Sequence, residues 1–376
     1  MKYIDNADLK NKKVIVRCDY NVPIEDGKVV DNARIVKSLK TINYLLENNC
    51  SIILLSHLGR IKTREDKLKN SLLPVAQELT NLLKKSVKFV SSPVGMEVLN
   101  ACKELKNGEI ILLENTRFCD YPEKLESNND DNLSKYFSSL GEIFIVDAFA
   151  TLHRAHASVA GISKYLPTYY GFLVKEEIEN LSPVVSDIKR PFTVFMGGSK
   201  VDDKLKYIKN LLPKCDYLLL GGGIANSFLC ALGYDIGESI ATSDEITLGE
   251  IKALIKEYRD KIILPIDFVI EGNKILDLNT KSINKYVSYF AKSKTIFVNG
   301  TCGKFEDKNF AKGTVTLFKS LKAIDAIKIA GGGDTLNCIN MFNLHDGFTY
   351  LSSGGGASLE YISNGSLEAI EFINKN

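Results

Sequence analysis

The sequence predicts an α/β protein built from two doubly wound, Rossmann-like parallel-sheet domains joined by a linking helix. Three observations carry this. Short apolar runs rich in Ile, Val, Leu and Phe recur along the chain, as strands buried on both faces require. Longer amphipathic stretches separate them, which is the rhythm of repeated strand–helix–strand units. A length of 376 residues exceeds one ordinary domain and suits two. The number of strand-like runs and the total length also fit one closed eight-stranded barrel poorly.

The first group of runs is Val14–Arg17, Ile52–Ser56, Val87–Val90, Ile110–Glu114 and Ile143–Asp147. The second is Phe192–Met196, Tyr217–Leu220, Ile262–Pro265, Thr295–Asn299, Ala326–Ala330 and Thr349–Ser352. Helical spacing falls between them at Ala33–Leu46, Leu72–Leu83, Lys204–Leu212 and Ile246–Tyr258. Residues 171–181 read as an amphipathic linking helix with Phe172, Leu173, Ile178 and Leu181 available to pack. Pro183 and Pro191 then punctuate the approach to the next strand. The expected domains are 1–170 and 171–361, the second including the linking helix.

Composition excludes several function classes. Forty-eight Lys+Arg against 46 Asp+Glu leave a formal charge of +2, too small a basic excess for a sequence-independent nucleic-acid binder. The longest apolar runs, such as Ile52–Leu55 and Ile110–Leu113, are strand-sized and far short of the ~20 residues of a spanning helix. Met1 leads directly into Lys2, Asp5 and Asp8, without the apolar core of an export signal. Eight cysteines stand singly, with no C-x-x-C pair and no Cys/His cluster at zinc spacing. A reducing cytoplasm is the expected compartment, with no membrane or nucleic-acid partner.

In open α/β sheets ligands bind beyond the carboxyl ends of the strands, and there the two halves differ. The first half ends its strands in charge: Arg17-Cys18-Asp19-Tyr20-Asn21, Ser56-His57-Leu58-Gly59-Arg60, Glu114-Asn115-Thr116-Arg117, and Asp147 leading to His153-Arg154-Ala155-His156. Arginine forks match phosphate and carboxylate, so Arg17, Arg34, Arg60, Arg117 and Arg154 together point to a pocket for a compact polyanion. Singly, each could equally cap a helix or pair with a neighbouring aspartate. The second half ends its strands in glycine: Gly197-Gly198-Ser199-Lys200, Gly221-Gly222-Gly223, Asn299-Gly300-Thr301-Cys302-Gly303, Gly331-Gly332-Gly333-Asp334-Thr335 and Gly354-Gly355-Gly356. Glycine lets backbone approach a ligand and lets helix-start N–H groups face phosphate, although tight strand-to-helix turns use it too. Neither a P-loop nor a G-x-G-x-x-G fingerprint is present. Lys200 and Lys204 open a predicted helix as a repelling i, i+4 pair that a polyphosphate would relieve. Asp334 suits Mg²⁺ beside phosphate, or a helix N-cap. An anion lobe facing a nucleotide lobe implies phosphoryl transfer.

These residues resemble the phosphoglycerate kinase family. The segments that carry the resemblance are RCDYNVP (17–23), SHLGR (56–60), LENTRF (113–118), Asp147–Phe149 with HRAH (153–156), GGSKVDDK (197–204), Gly221–Gly223, LPIDFV (264–269), FAKGT (310–314), GGGDT (331–335) and GGGASLE (354–360), in family order over nearly the whole chain. The resemblance implies a bilobal, hinge-bending glycolytic and gluconeogenic kinase, a cytoplasmic monomer. It would move a phosphoryl group between ATP/ADP and 3-phosphoglycerate/1,3-bisphosphoglycerate, with Mg²⁺ accompanying the nucleotide. It implies that Asp19, Asn21, Arg34, His57, Arg60, Arg117 and Arg154 bind 3-phosphoglycerate. Lys200, Lys204, Gly221, Gly222, Asn299, Glu306, Gly332, Gly333, Asp334 and Thr335 would bind nucleotide, Asp334 lying near the metal. Arg34 and Lys200 would flank the phosphoryl group in flight, with backbone N–H groups of Gly333, Gly355 and Gly356 as transition-state donors. The tail, residues 362–376, would return to the N-terminal domain. Departures from the family pattern fall at Ile61, at Val146–Ala150 and, in the nucleotide lobe, at Asp277-Leu278-Asn279-Thr280 and Val298–Gly303, where Thr301 and Cys302 replace the usual Pro-Val.

Overall fold

An unbroken apolar run has no polar face to give to water, so it must sit inside a sheet covered on both sides. The computed structural model describes all 376 residues, Met1–Asn376, and places these runs in two six-stranded sheets. The first holds β1 (Lys13–Cys18), β2 (Ser51–Leu55), β3 (Val87–Val90), β4 (Ile110–Leu113), β5 (Ile143–Asp147) and β6 (Thr168–Tyr170). Their spatial order is β3-β4-β2-β1-β5-β6, with every pairing parallel. The second holds β7 (Phe192–Met196), β8 (Tyr217–Leu220), β9 (Ile262–Ile263), β10 (Thr295–Asn299), β11 (Ile327–Gly331) and β12 (Tyr350–Ser352). It runs β9-β8-β7-β10-β11-β12, again all parallel. That is the doubly wound 3-2-1-4-5-6 order. β2, β5, β7 and β10 are buried at every residue.

In each sheet the chain reverses its direction of travel beside its first strand. The crevice outside the carboxyl ends at such a switch point is where ligands bind. In the first sheet it lies between β1 and β5, so the turns after Cys18 and Asp147 face it. In the second it lies between β7 and β10, which brings the turns after Met196 and Asn299 together.

The chain divides into two compact units, Met1–Ile178 with Leu367–Asn376, and Glu179–Ser366. The division falls inside the linking helix, Phe172–Leu181, rather than at the expected 170/171. The first turn of that helix is anchored in the first unit. Phe172 packs edge-on against Tyr44 with ring centroids 5.1 Å apart, and its N–H donates to Thr41 Oγ1 at 3.0 Å. The Leu173 and Val174 N–H groups donate to Asp147 Oδ1 at 2.9 and 3.3 Å. In the tail, the helix Glu368–Lys375 belongs to the first unit too. Its Ala369 N–H donates to Leu152 O at 3.0 Å, and Lys164 lies over the Phe372 ring.

Each unit has its own core, the first built around Val14, Val16, Ile52 and Leu54, the second around Phe195, Ile296, Val298 and Phe318. A fully buried side chain of this kind stabilises the fold by about 1.5–3 kcal/mol. Tyr286 is buried in the second core, where its hydroxyl satisfies Leu220 O and Ile263 O at 2.5 and 3.2 Å. The strand β6 is absent from the sequence reading because three residues of Thr-Tyr-Tyr at a sheet edge, next to Pro167, carry no run long enough to detect. Two small hairpins, Ile24–Glu25 with Lys28–Val29 and Phe268–Glu271 with Lys274–Leu278, escape it too, the first because its strands are two residues long and the second because Glu271, Lys274 and Asp277 break its apolar pattern. No helix is long and apolar enough to cross a membrane.

Candidate active site

In the first unit the charged strand exits converge. Asp19, buried after β1, pairs with Arg34 in the first turn of the helix Ala33–Glu47. Asn21 holds the next turn by accepting the Gly59 N–H at 2.9 Å. Arg117 bonds Gly59 O, so two pocket segments share one glycine. His57 and His156 are both 7% exposed. Burial pushes both imidazoles down, and the surrounding arginines add to it: Arg17, Arg117 and Arg34 act on His57, Arg117, Arg17 and Arg154 on His156, which falls to about 3. Both rings are therefore neutral near pH 7, and the positive charge resides in guanidinium groups. Arg60 and Arg154 are exposed at the rim.

One residue changes meaning. Arg17 is 1% exposed and its guanidinium is committed to Ser158, Cys18 O and His57. It is an internal strut of the pocket, since a strand residue preceding the exit points into the core. Ser158 and Glu126 escaped the sequence reading. Glu126 lies in a polar stretch with no periodic signal.

In the second unit a cavity of about 570 Å³ opens at the switch point, between Gly198, Gly223, Ile240, Leu276, Phe305 and Glu306. A second, of about 260 Å³, lies among Lys204, Asn299, Gly333, Asp334, Gly355 and Gly356. Asp334 lines both. The larger offers apolar walls with a few polar groups, as a flat base requires. The smaller faces the N-termini of the helices Gly333–Met341 and Gly356–Asn364, whose free N–H groups suit phosphate. Lys204 donates to Gly197 O and Asn299 Oδ1 at 2.8 and 2.7 Å. Burial lowers its amine to about 8, against the opposing pull of Asp334 and Asp203. Lys200 is exposed after the same turn. A cavity of about 730 Å³ at the amino ends of β3 and β4 is larger, but it lies away from the strand exits.

The glycines divide into two kinds. A Cβ on Gly197 would stand 2.0 Å from Thr301 O, one on Gly223 2.2 Å from Ser199 O, and one on Gly300 2.2 Å from Gly197 O. Gly221 and Gly222 are likewise hemmed in, by Phe195 and by Gly198 O. These exits are glycine because backbone packs on backbone. Gly333, Gly355 and Gly356 instead face open space. Gly332 adopts φ +104°, and a Cβ there would meet Asn299 Nδ2. Thr335 is buried, its hydroxyl accepting from Gly300 N–H at 2.7 Å and donating to Gly331 O at 3.0 Å, so that side chain shapes the turn.

The two departures in this unit part company. Thr301 and Cys302 line the larger cavity. Asp277 is buried behind it and Asn279 caps the helix Thr280–Phe290. No group of three or more His, Cys, Asp or Glu could cage a metal. Asp334 is exposed and enters no ion pair. One free carboxylate beside a phosphate cradle fits a Mg²⁺ ion that arrives with the nucleotide and keeps most of its ligands as phosphate and water.

Arginines gathered at the strand exits of one doubly wound sheet and two cavities at the glycine turns of another suit a small-molecule kinase. Comparison with known proteins makes the class particular. The family model described as phosphoglycerate kinase matches residues 4–365. The chain is 43% identical over 392 residues to the phosphoglycerate kinase of Listeria innocua, covering 99% of this chain and 98% of that protein. It is 43% identical over 396 residues to that of Clostridium kluyveri, with the same coverage. The solved phosphoglycerate kinase structure from Coxiella burnetii matches with TM-score 0.88 at 34% identity, covering 99% of this chain and 98% of that one. That from Pyrococcus horikoshii matches with TM-score 0.85 at 28% identity, covering 100% and 98%. The chain belongs to the phosphoglycerate kinase family, and is a glycolytic enzyme of ATP-dependent phosphoryl transfer.

Proposed function

We propose that the first unit binds 3-phosphoglycerate through Asp19, Asn21, Arg34, His57, Arg60, Arg117 and Arg154. The second binds ATP or ADP, its base in the larger cavity near Glu306 and its phosphates over Lys204, Gly333 and Asp334. The phosphate cradle carries this reading: two helix starts with open glycines, one lysine and one free carboxylate converge on the smaller cavity. Mg²⁺ enters with the nucleotide, beside Asp334, and would neutralise phosphate charge there. The enzyme acts as a cytoplasmic monomer.

Each unit has its own share of the work. The first orients the acceptor carboxylate, with Asp19 steadying Arg34. Lys200 and Arg34 flank the moving phosphoryl group and balance the charge spread over its equatorial oxygens. N–H groups of Gly333, Gly355 and Gly356 donate to the same charge as it develops. In-line transfer needs reacting atoms within roughly 3–3.5 Å, so ligands held by separate units must be brought together by closure about the linking segment. Closure also excludes water. A coupled assay of ATP-dependent 1,3-bisphosphoglycerate formation tests the reading. Arg34→Ala and Lys200→Ala should lower kcat on the order of 10²–10³-fold, while Lys204→Ala should chiefly raise KM for nucleotide. Near wild-type kcat in Arg34→Ala would remove that residue from the reaction.

A further inference from the structure

Behind the basic pocket runs a buried polar chain that ends on His57. Arg17 Nε donates to Ser158 Oγ at 3.0 Å, Nη1 bonds Cys18 O, and Nη2 meets His57 Nδ1 at 3.1 Å. The Ser158 hydroxyl donates in turn to Glu126 Oε1 and its N–H to Oε2 at 3.0 Å, while Thr116 Oγ1 adds a bond to Oε1 at 3.3 Å. Glu126 and Ser158 are fully buried. Every donor in the chain has one acceptor, and the order is fixed: carboxylate, hydroxyl, guanidinium, imidazole.

Guanidinium can only donate, so His57 Nδ1 must accept, and a neutral ring then carries its proton on Nε2. We infer that Glu126, Ser158 and Arg17 are positioning residues that hold His57 as its neutral Nε2–H tautomer, a hydrogen-bond donor to the anionic substrate. This rests on the reading of His57 as a substrate ligand. His57 Nε2 makes no bond to the protein and is the nitrogen left for a ligand. Without a donor at Nδ1, a neutral imidazole exchanges tautomers and would present a lone pair to an anionic oxygen part of the time. An imidazolium is disfavoured here: His57 is buried and faces Arg17, Arg117, Arg34 and His156. Ser158 also explains why Arg17 can serve. A direct fork-to-fork pair with Glu126 would occupy two guanidinium nitrogens, whereas the hydroxyl takes only Nε and leaves Nη2 for the histidine. Glu126 supplies the balancing charge for Arg17 from the far side.

The test begins on the unsubstituted, ligand-free enzyme. With only four histidines, ¹⁵N-histidine NMR can assign His57 by comparison with His57→Gln and read which nitrogen is protonated. The expected spectrum at pH 7 shows Nε2 protonated and Nδ1 bare. Ser158→Ala removes only a hydroxyl, and should move the His57 nitrogens toward tautomer averaging. It should also raise KM for 3-phosphoglycerate about tenfold, the scale of a charge-linked hydrogen bond, with KM for ATP unchanged. A wild-type Nδ1–H tautomer, or Ser158→Ala with unchanged His57 shifts and KM, overturns the relay. If His57→Gln leaves KM for 3-phosphoglycerate unchanged, it is the pocket reading that falls, and the spectra still judge the tautomer.

Discussion

At the residue scale, the chemistry proposed for the second unit turns on Lys204 and on which glycines would meet a ligand. Lys204 sits with its amine lowered to about 8 by burial, so in the free enzyme it loses its charge just above neutral pH. The quantity kcat/KM reports ionisations of the free enzyme. For ATP it should therefore fall on the alkaline side with a midpoint near pH 8, and Lys204→Arg should remove that limb because a guanidinium stays charged. A pH-independent kcat/KM for ATP between 7 and 9 would contradict this. The glycines make a second, opposed pair of expectations. Gly197→Ala forces a Cβ against Thr301 O at 2.0 Å and should cost stability on the overpacking scale of ~1–3 kcal/mol. Gly356→Ala meets nothing, so thermal unfolding should be nearly unchanged while kcat drops, the methyl entering phosphoryl space. Calorimetry and the coupled assay on both variants separate the two roles.

At the element scale, each unit uses one buried aspartate at a strand end to fix a helix that frames its site. Asp147 closes β5 and accepts from the first N–H groups of the linking helix. Asp277 accepts from Gly313 N–H at 2.6 Å, at the start of the helix Lys312–Ser320. Thr314 on that helix accepts the Cys302 N–H at 2.9 Å. Asp277 thus supports the wall of the larger cavity from behind, while Thr301 and Cys302 line it. Burial raises both carboxyls to about 6 from 3.8. The folded state therefore favours their protonated form. Each contribution is complete below about pH 4, the unfolded range, and lost as pH rises through 6. Asn cannot ionise, so the stability of wild type minus Asp147→Asn should rise by about 2 kcal/mol on going from pH 7 to pH 4. Urea unfolding at both pH values measures it, and a difference independent of pH would contradict the burial argument.

At the scale of the whole molecule, the proposed reaction places two ligands on two separately cored units. Only the pair of ligands gains contacts that exist in a closed state. Small-angle scattering should therefore give a smaller radius of gyration for the ternary complex than for the free or either singly liganded enzyme. An unchanged radius in an active ternary complex would exclude closure about the linking helix, and with it the flexing role proposed for residues 171–181.

Much of this was legible along the chain. Continuous apolar runs must be buried strands wherever they fold, so both sheets, the linking helix and the ordered motifs of the family could be read from local pattern alone. Charge at the first unit's strand exits pointed to the proposed anion site, because ligands of open α/β sheets bind beyond the carboxyl ends of the strands. What the pattern could not hold are facts that join distant residues. Arg17 is a strut rather than a ligand because Ser158, 141 residues away, meets its Nε. Gly197 is glycine because Thr301 backbone arrives beside it. β6 forms by pairing with β5 and bridging Tyr3, and the linking helix belongs first to the unit that supplies Asp147 and Tyr44. Residue type and period decided which elements form and what chemistry they carry. The tertiary structure alone decided which polar groups face a ligand and which face each other, since that depends on what stands within about 3 Å rather than on what stands next in sequence.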